Sequence, residues 1–181
     1  MTTRRDTVDA NRKSEYNIHN CVKYLIRCVA LKNIQSYIES DSQSPLIIVG
    51  QSGSGKTFVM ARAFNVFVGH LDSSTDADSV ACIRFLGTTS RSSAVSDLLF
   101  SLCLQLDVVR NLKNELPYGF LGLKEYFLST IMNWTHCKLV IFLDALDQLQ
   151  DTDAARRFEW LPMKQLPPLV KIICSTLPDG D

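Results

Sequence analysis

The sequence predicts an α/β domain, a parallel sheet with helices on both faces, and three observations predict it. Strand-sized apolar runs alternate with helix-period segments along most of the chain. The runs at Leu46–Val49, Val80–Leu86, Lys138–Leu143 and Val170–Cys174 are nearly continuous in apolar residues, as strands covered on both faces require. A glycine-rich turn follows the first run and an aspartate ends the third, and open α/β sheets bind ligands beyond the carboxyl ends of their strands.

Composition narrows the function. The chain has 181 residues, 46% hydrophobic and 21% charged, which suits one domain with a real core. Nineteen basic residues balance nineteen acidic ones, so bulk attraction to nucleic acid or to an anionic membrane is not expected. The polar start, MTTRRDTVDANRKSEYN, has no apolar stretch of a secretory signal, and no run reaches the roughly 18 residues of a membrane span. Cys21, Cys28, Cys82, Cys103, Cys137 and Cys174 have no CxxC spacing. They read as reduced thiols in a cytoplasmic protein, with Cys82 and Cys174 acting as small hydrophobes inside apolar runs.

In chain order, residues 1–15 read as a disordered tail and 16–44 as a helical segment. Ile18, Cys21, Val22, Leu25, Ile26, Val29, Ile34 and Ile38 recur there at helical spacing. Ser40–Pro45 reads as a loop, because Pro is excluded from a central strand. The remaining core, 45–181, opens with the strand Leu46–Val49 and the turn Gly50–Ser54. A helix over 55–68 follows, then an acidic, Ser-rich loop over 71–79. The strand Val80–Leu86 and a polar loop over 87–93 lead to a helix over 94–112, where Leu98, Leu99, Leu102 and Leu106 make one face. Asn114–Gly119 breaks that helix, and another covers 121–132. After the strand Lys138–Leu143 a short helix is expected over 154–161, stopped by Pro162. A stiff turn at 166–168 precedes the strand Val170–Cys174. Phe64, Phe67, Phe85, Phe100 and Phe127 fall at core spacing and need no stacking role.

Gly50-Gln51-Ser52-Gly53-Ser54-Gly55-Lys56-Thr57 matches G-x-x-x-x-G-K-[ST] completely, between a strand and a helix. Each residue type has a reason. The glycines let the backbone curl so that successive N–H groups face phosphate oxygens. The helix that follows adds its partial positive charge. Lys56 supplies a cation for the β- and γ-phosphates, and the Thr57 hydroxyl is a Mg²⁺ ligand. This is a P-loop, and the fold it predicts is the three-layer α/β/α P-loop NTPase.

Leu139-Val140-Ile141-Phe142-Leu143-Asp144 is an apolar strand ending in a carboxylate, the Walker B pattern. Asp144 is placed to hold Mg²⁺ directly or through water. The following residue is Ala145, where many P-loop ATPases carry a glutamate. The next carboxylate is Asp147, which has two readings: orienting the attacking water, or capping the turn Asp147–Gln150.

Asp144, Ala145 and Asp147 together resemble the NACHT family of switch ATPases. The stretches Ile83–Leu106, Leu139–Leu149 and Trp160–Pro178 are similar to the NACHT modules of proteins that also carry WD repeats, and to nephrocystin-type and telomerase-associated relatives. The resemblance covers Ile34–Pro178. It implies strand order 5-1-4-3-2, as in the wider AAA+/STAND group, and ATP or ADP as ligand. It also implies slow hydrolysis that times a switch, and protein partners or self-association through the domain. It gives Ser175 and Thr176, ending the fourth strand, the position of a polar γ-phosphate sensor; the alternative is a solvated turn.

Three departures accompany the resemblance. The fifth strand, the helical lid and the winged-helix segment are not found in the chain. Arg27-Cys28-Val29-Ala30-Leu31 stands where a Gly-Arg-acidic element would help hold the base. No arginine follows Ser175-Thr176-Leu177. Arg91 and Arg156-Arg157 read as solvated cations. A GTPase reading lacks Asp-x-x-Gly and Asn-Lys-x-Asp, a nucleotide kinase lacks an Arg-rich lid, and a helicase lacks a basic groove. The expected function is an ATP/Mg²⁺-binding switch module of a larger signalling or scaffold protein; the alternative is a non-catalytic protein-interaction fragment.

Overall fold

The computed structural model describes residues 26–73, 79–89, 91–153 and 155–178. The expected tail over 1–15, the first part of the helical segment, most of the acidic loop over 71–79 and Cys21 lie outside the described residues.

The described elements are α1 (26–39), β1 (Leu46–Val49), α2 (Lys56–Ser73), β2 (Ser79–Phe85), α3 (Val95–Val109), α4 (Gly119–Met132), β3 (Lys138–Asp144) and β4 (Val170–Thr176). The four strands form one all-parallel sheet in the order β1-β4-β3-β2. Parallel strands require crossovers: α2 connects β1 to β2 and α3 with α4 connect β2 to β3, while the described elements between β3 and β4 are two short 3-10 turns.

The alternation along β3 divides the core. Leu139, Ile141 and Leu143 face one layer, where α3 and α4 contribute Leu98, Leu99, Leu102, Leu106, Phe127 and Ile131. Val140 and Phe142 face the other, where α1 and α2 contribute Ile34, Tyr37, Ile38, Val59, Met60 and Ala63. A period of two in the strand thus meets the helical period on each side, and both faces are covered. The Phe64 ring stands edge-on to Phe142, with centroids 5.8 Å apart. Phe127 is buried, whereas Phe85 and Phe100 are 37% and 47% exposed, so the core placement expected for those two is corrected. Phe85 lies at the end of β2 and lines a cavity described below.

Several buried polar groups have clear partners. Lys171 is 1% exposed and donates to the carbonyls of Ser40 at 2.6 Å and Ser42 at 2.7 Å, with its ammonium over the Tyr37 ring. Burial holds its pKa below the ordinary lysine value, Lys138 adds to that, and Asp41 opposes it. The Tyr126 hydroxyl on α4 meets both oxygens of buried Asp107 on α3, at 2.9 and 2.7 Å. Cys82, Cys103 and Cys174 are buried, unbridged thiols.

Two elements differ from expectation. Helix α2 continues to Ser73 instead of stopping near Val68. Gly69 costs only about 1 kcal/mol in a helix, which does not by itself end one. The helix expected over 154–161 is reduced to a 3-10 turn at Ala155–Arg157. Asp153 and Phe158 both have positive φ, and the Trp160 indole donates to the Ala155 carbonyl at 2.9 Å, taking an acceptor that a longer helix would use. Among the described residues no helix is long and apolar enough to cross a membrane.

Candidate functional site

The site grows out of the end of β1. Val49 pairs with Thr176, and the Gly50 N–H donates to the Thr176 carbonyl at 3.2 Å, so the loop leaves directly from the sheet. Ser54 N–H then closes a turn on the Gln51 carbonyl at 3.2 Å, and the Val59 N–H bonds the Gly55 carbonyl at 3.1 Å as α2 begins. Gly53 and Gly55 have φ of 72° and 95°, a region that glycine enters without steric cost. The loop therefore curls around its own amides at the N-terminus of an 18-residue helix.

Lys56 folds over this curl. Its ammonium donates to the carbonyls of Gly50 and Gln51, the latter at 3.2 Å. Beside it opens a cavity of about 440 Å³, lined by Ser52, Gly53, Gly55, Lys56, Thr57, Asp144, Asp147 and Gln148, with Phe85, Leu86, Thr88 and Leu177 around it. Strand register explains the convergence. β1 and β3 flank β4, and their carboxyl ends open to the same side of the sheet.

Asp144 is 4% exposed, and its carbonyl accepts from Leu86 N–H at 2.6 Å, which ties the ends of β2 and β3. Its carboxylate accepts a short hydrogen bond from the Ser175 hydroxyl, which is itself fully buried. Asp147 sits in a 3-10 turn, Leu146–Gln148. One of its oxygens accepts from Leu177 N–H at 3.0 Å and the other from the Gln148 amide at 2.6 Å. Gly87 has φ of 75°, and a Cβ there would stand 2.6 Å from the Gln148 Cβ, so glycine is what lets Gln148 pack at this edge.

Of the residues singled out in the sequence, Ser52, Gly53, Gly55, Lys56, Thr57, Asp144 and Asp147 come together on one cavity. Gly50, Gln51 and Ser54 shape the loop and do not line it. Ser175 lies behind Asp144, and the Thr176 carbonyl holds the root of the loop. Arg91, Arg156 and Arg157 are exposed.

Sequence reasoning missed Arg27 as a neighbour of the loop. A Cβ on Gly55 would meet the Arg27 guanidinium at 2.7 Å, and that guanidinium lies 5.1 Å from the Phe58 ring centroid. Its Nε is buried with no hydrogen-bond partner among the described residues. The signal available was an arginine in the helical segment that leads into the loop strand. The lining by Phe85, Leu86 and Thr88 had no local signal, since it follows from β2 lying beside β3.

The arrangement fits a phosphate chain and a divalent cation. The loop amides and Lys56 offer donors, while Asp144 and Thr57 offer oxygen ligands. Among the described residues no cluster of three or more His, Cys, Asp or Glu offers a metal site formed by protein side chains alone. A cation here would depend on phosphate oxygens as well.

Comparison with known proteins agrees in coverage. The family model described as nephrocystin 3, N-terminal, matches residues 27–176. The chain is similar to the NACHT and WD repeat domain-containing protein 2 of Mus musculus and of Homo sapiens, 38% identical to each over 164 residues. It is similar also to the NACHT domain- and WD repeat-containing protein 1 of Homo sapiens, 33% identical over 147 residues. The alignments take in 86% of this chain for the first two and 76% for the third, and the chain spans 9% of the length of each relative.

Proposed function

The chain belongs to the nephrocystin 3 N-terminal family, and from that premise we propose that it is a P-loop NTPase module of the NACHT type that binds ATP or ADP with Mg²⁺. It would act as a switch within a larger signalling or scaffold protein of the cytoplasm. The single observation that carries this reading is the shared cavity of Gly53, Gly55, Lys56, Thr57 and Asp144. The amides of the loop would donate to phosphate oxygens. Lys56 would exchange the carbonyls of Gly50 and Gln51 for the β- and γ-phosphates. Thr57 and Asp144 would hold Mg²⁺, which supplies charge neutralisation when bound. In the P-loop arrangement 5-1-4-3-2, the observed β1-β4-β3-β2 would be four of the five strands.

Hydrolysis in this reading is slow. Each oxygen of Asp147 already accepts one hydrogen bond, so a water would be oriented through the remaining acceptor capacity of a carboxylate that Leu177 N–H and Gln148 hold at the strand end. The same observation favours the second reading, a non-catalytic module that binds nucleotide or a protein partner without turnover. The test is titration of the purified chain with a fluorescent Mg·ATP analogue, with Lys56→Ala and Asp144→Ala alongside. Saturable binding weakened by both substitutions supports the first reading. Absence of binding by the folded wild type overturns it.

A further inference from the structure

Arg27 of α1 reaches the loop at Gly50–Thr57 without lining its cavity. Its Nη2 and Nε stand 2.7 and 2.8 Å from where a side chain at Gly55 would begin, and Gly55 itself lines the cavity. The guanidinium also lies 5.1 Å from the ring centroid of Phe58, in the first turn of α2. A cation is thereby held beside Lys56 at the positive end of an 18-residue helix, where a cation is unfavourable. The Arg27 Nε is buried with no hydrogen-bond partner among the described residues. An apolar side chain would pack on Phe58 without either cost.

The chain offers this cation no carboxylate nearby. Among the described residues Arg27 forms no salt bridge. The loop has no acidic residue and neither has the first turn of α2. Glu39, the one carboxylate of α1, is at the opposite end of that helix. The acidic stretch that starts at Asp72 begins roughly 24 Å along α2 from Lys56. Residues 1–25, outside the described residues, carry Asp6, Asp9 and Glu15 but also Arg4, Arg5, Arg12, Lys13 and Lys23, so their sequence brings more cations than carboxylates. Of the carboxylates on the cavity, Asp144 accepts from Ser175, and Asp147 from Leu177 N–H and Gln148. An anion in the loop would offset the charge, and it would do so through partly desolvated backbone, where screening is weaker than in water. We propose that Arg27 is a phosphate-recognition residue supplied by α1: it adds a cation to the loop from beside Gly55, and phosphate charge in the loop draws α1 onto it. The proposal rests on reading Gly50–Thr57 as a phosphate loop, and it assigns Arg27 to the phosphates, not to the base.

The test uses the whole 181-residue chain and magnesium tripolyphosphate, an inorganic probe with phosphate charge and no base. Calorimetric titration gives affinity, and amide shifts in ¹H–¹⁵N spectra report on α1. Lys56→Ala marks binding as binding in the loop. Arg27→Met keeps aliphatic packing on Phe58 and removes the charge, whereas Arg27→Lys keeps the charge. Arg27→Gln, also uncharged, must agree with Arg27→Met, and circular dichroism on each variant prevents a lost fold from being read as a lost charge. The expected result is saturable binding that weakens on the order of tenfold in the methionine and glutamine variants and about threefold or less in the lysine variant. Amides at the Arg27 end of α1 should shift on binding in the wild type, and less in Arg27→Met. Four outcomes would overturn the proposal. Binding lost in Lys56→Ala but kept in Arg27→Met would leave the phosphate loop standing without Arg27. Weakened binding of Mg·ATP with unchanged binding of tripolyphosphate would move Arg27 to the base. Equal losses in the methionine and lysine variants would make its role one of packing. No binding of tripolyphosphate or Mg·ATP by the folded wild type would remove the phosphate-loop reading itself, and Arg27 with it.

Discussion

The hydroxyl of Ser175, with no solvent access at the end of β4, donates to the carboxylate of Asp144 at the end of β3. The two residues lie 31 positions apart in sequence and hold neighbouring strands together where the cavity opens. Ser175 therefore orients the carboxylate proposed to hold Mg²⁺, and it does so from behind.

Ser175→Ala removes that donor from a buried acceptor. The expected loss is about 1–3 kcal/mol of stability, the range for stranding a buried polar group. In an Asp144→Ala background the same substitution should cost much less. A double-mutant cycle by urea unfolding measures the difference, and the expected coupling is on the order of 1–2 kcal/mol. Additive single effects would mean that the hydroxyl and the carboxylate do not support each other.

Gly53 and Gly55 make a second comparison. Both have positive φ, but a Cβ on Gly53 meets nothing within 4 Å, while one on Gly55 meets the Arg27 guanidinium at 2.7 Å. Gly53→Ala should cost about 1 kcal/mol, from backbone conformation alone. Gly55→Ala should cost more, and Arg27→Ala in the same chain should recover part of the excess. Thermal unfolding of the three variants against wild type checks this; equal costs at both glycines would show that Arg27 does not sit against the loop.

Local pattern made much of this legible. The residues of the proposed phosphate loop, Gly50–Thr57, are contiguous, so residue types at fixed spacing single them out as candidates. The strands Leu46–Val49 and Lys138–Asp144 fell where apolar runs placed them; burial on both faces leaves little choice of residue in the second, whereas the first is only partly buried. What escaped was set by contacts between distant segments. The link from Asp147 to Leu177 N–H crosses 30 positions. The placement of Arg27 depends on how α1 leans on the loop, and the side chains of Phe85 and Phe100 face out because of where β2 ends and how α3 is rotated. The helix expected over 154–161 failed because positive φ at Asp153 and Phe158 ends it on both sides, which helical spacing of apolar residues does not register.

Alkaline pH should destabilise the fold through its thiols. Burial raises Cys82 from 9.0 to about 11, with Arg84 opposing. Burial raises Cys103 to about 12, with Asp107 adding to it, and burial alone raises Cys174 to about 12. A group whose folded pKa lies above its unfolded value contributes stability that is complete below the unfolded pKa. That contribution is lost as pH rises from about 9 through about 11 and 12. Urea midpoints at pH 7.5 and pH 10.5 should therefore differ, and by less in Cys174→Ala than in wild type. Comparing the two proteins isolates the thiol from tyrosine and lysine ionisation. A wild-type loss no larger than that of the variant would exclude Cys174 as a contributor.

Asp147 separates structural from chemical roles. Its oxygens accept from Leu177 N–H and the Gln148 amide, which ties the turn after β3 to the residue after β4. Asp147→Asn keeps one acceptor oxygen for Leu177 N–H but removes the charge and the capacity to take a proton. Asp147→Ala removes both functions. If the carboxylate mainly secures the strand end, the alanine variant should lose about 1 kcal/mol of stability and the asparagine variant little. Nucleotide-analogue binding would then follow stability. If it also orients water, single-turnover hydrolysis should fall on the order of 10²-fold or more in both variants, with binding kept in the asparagine variant. Unchanged turnover in a stable, nucleotide-binding Asp147→Asn protein would confine Asp147 to holding the end of the sheet and leave orientation of any attacking water to other groups.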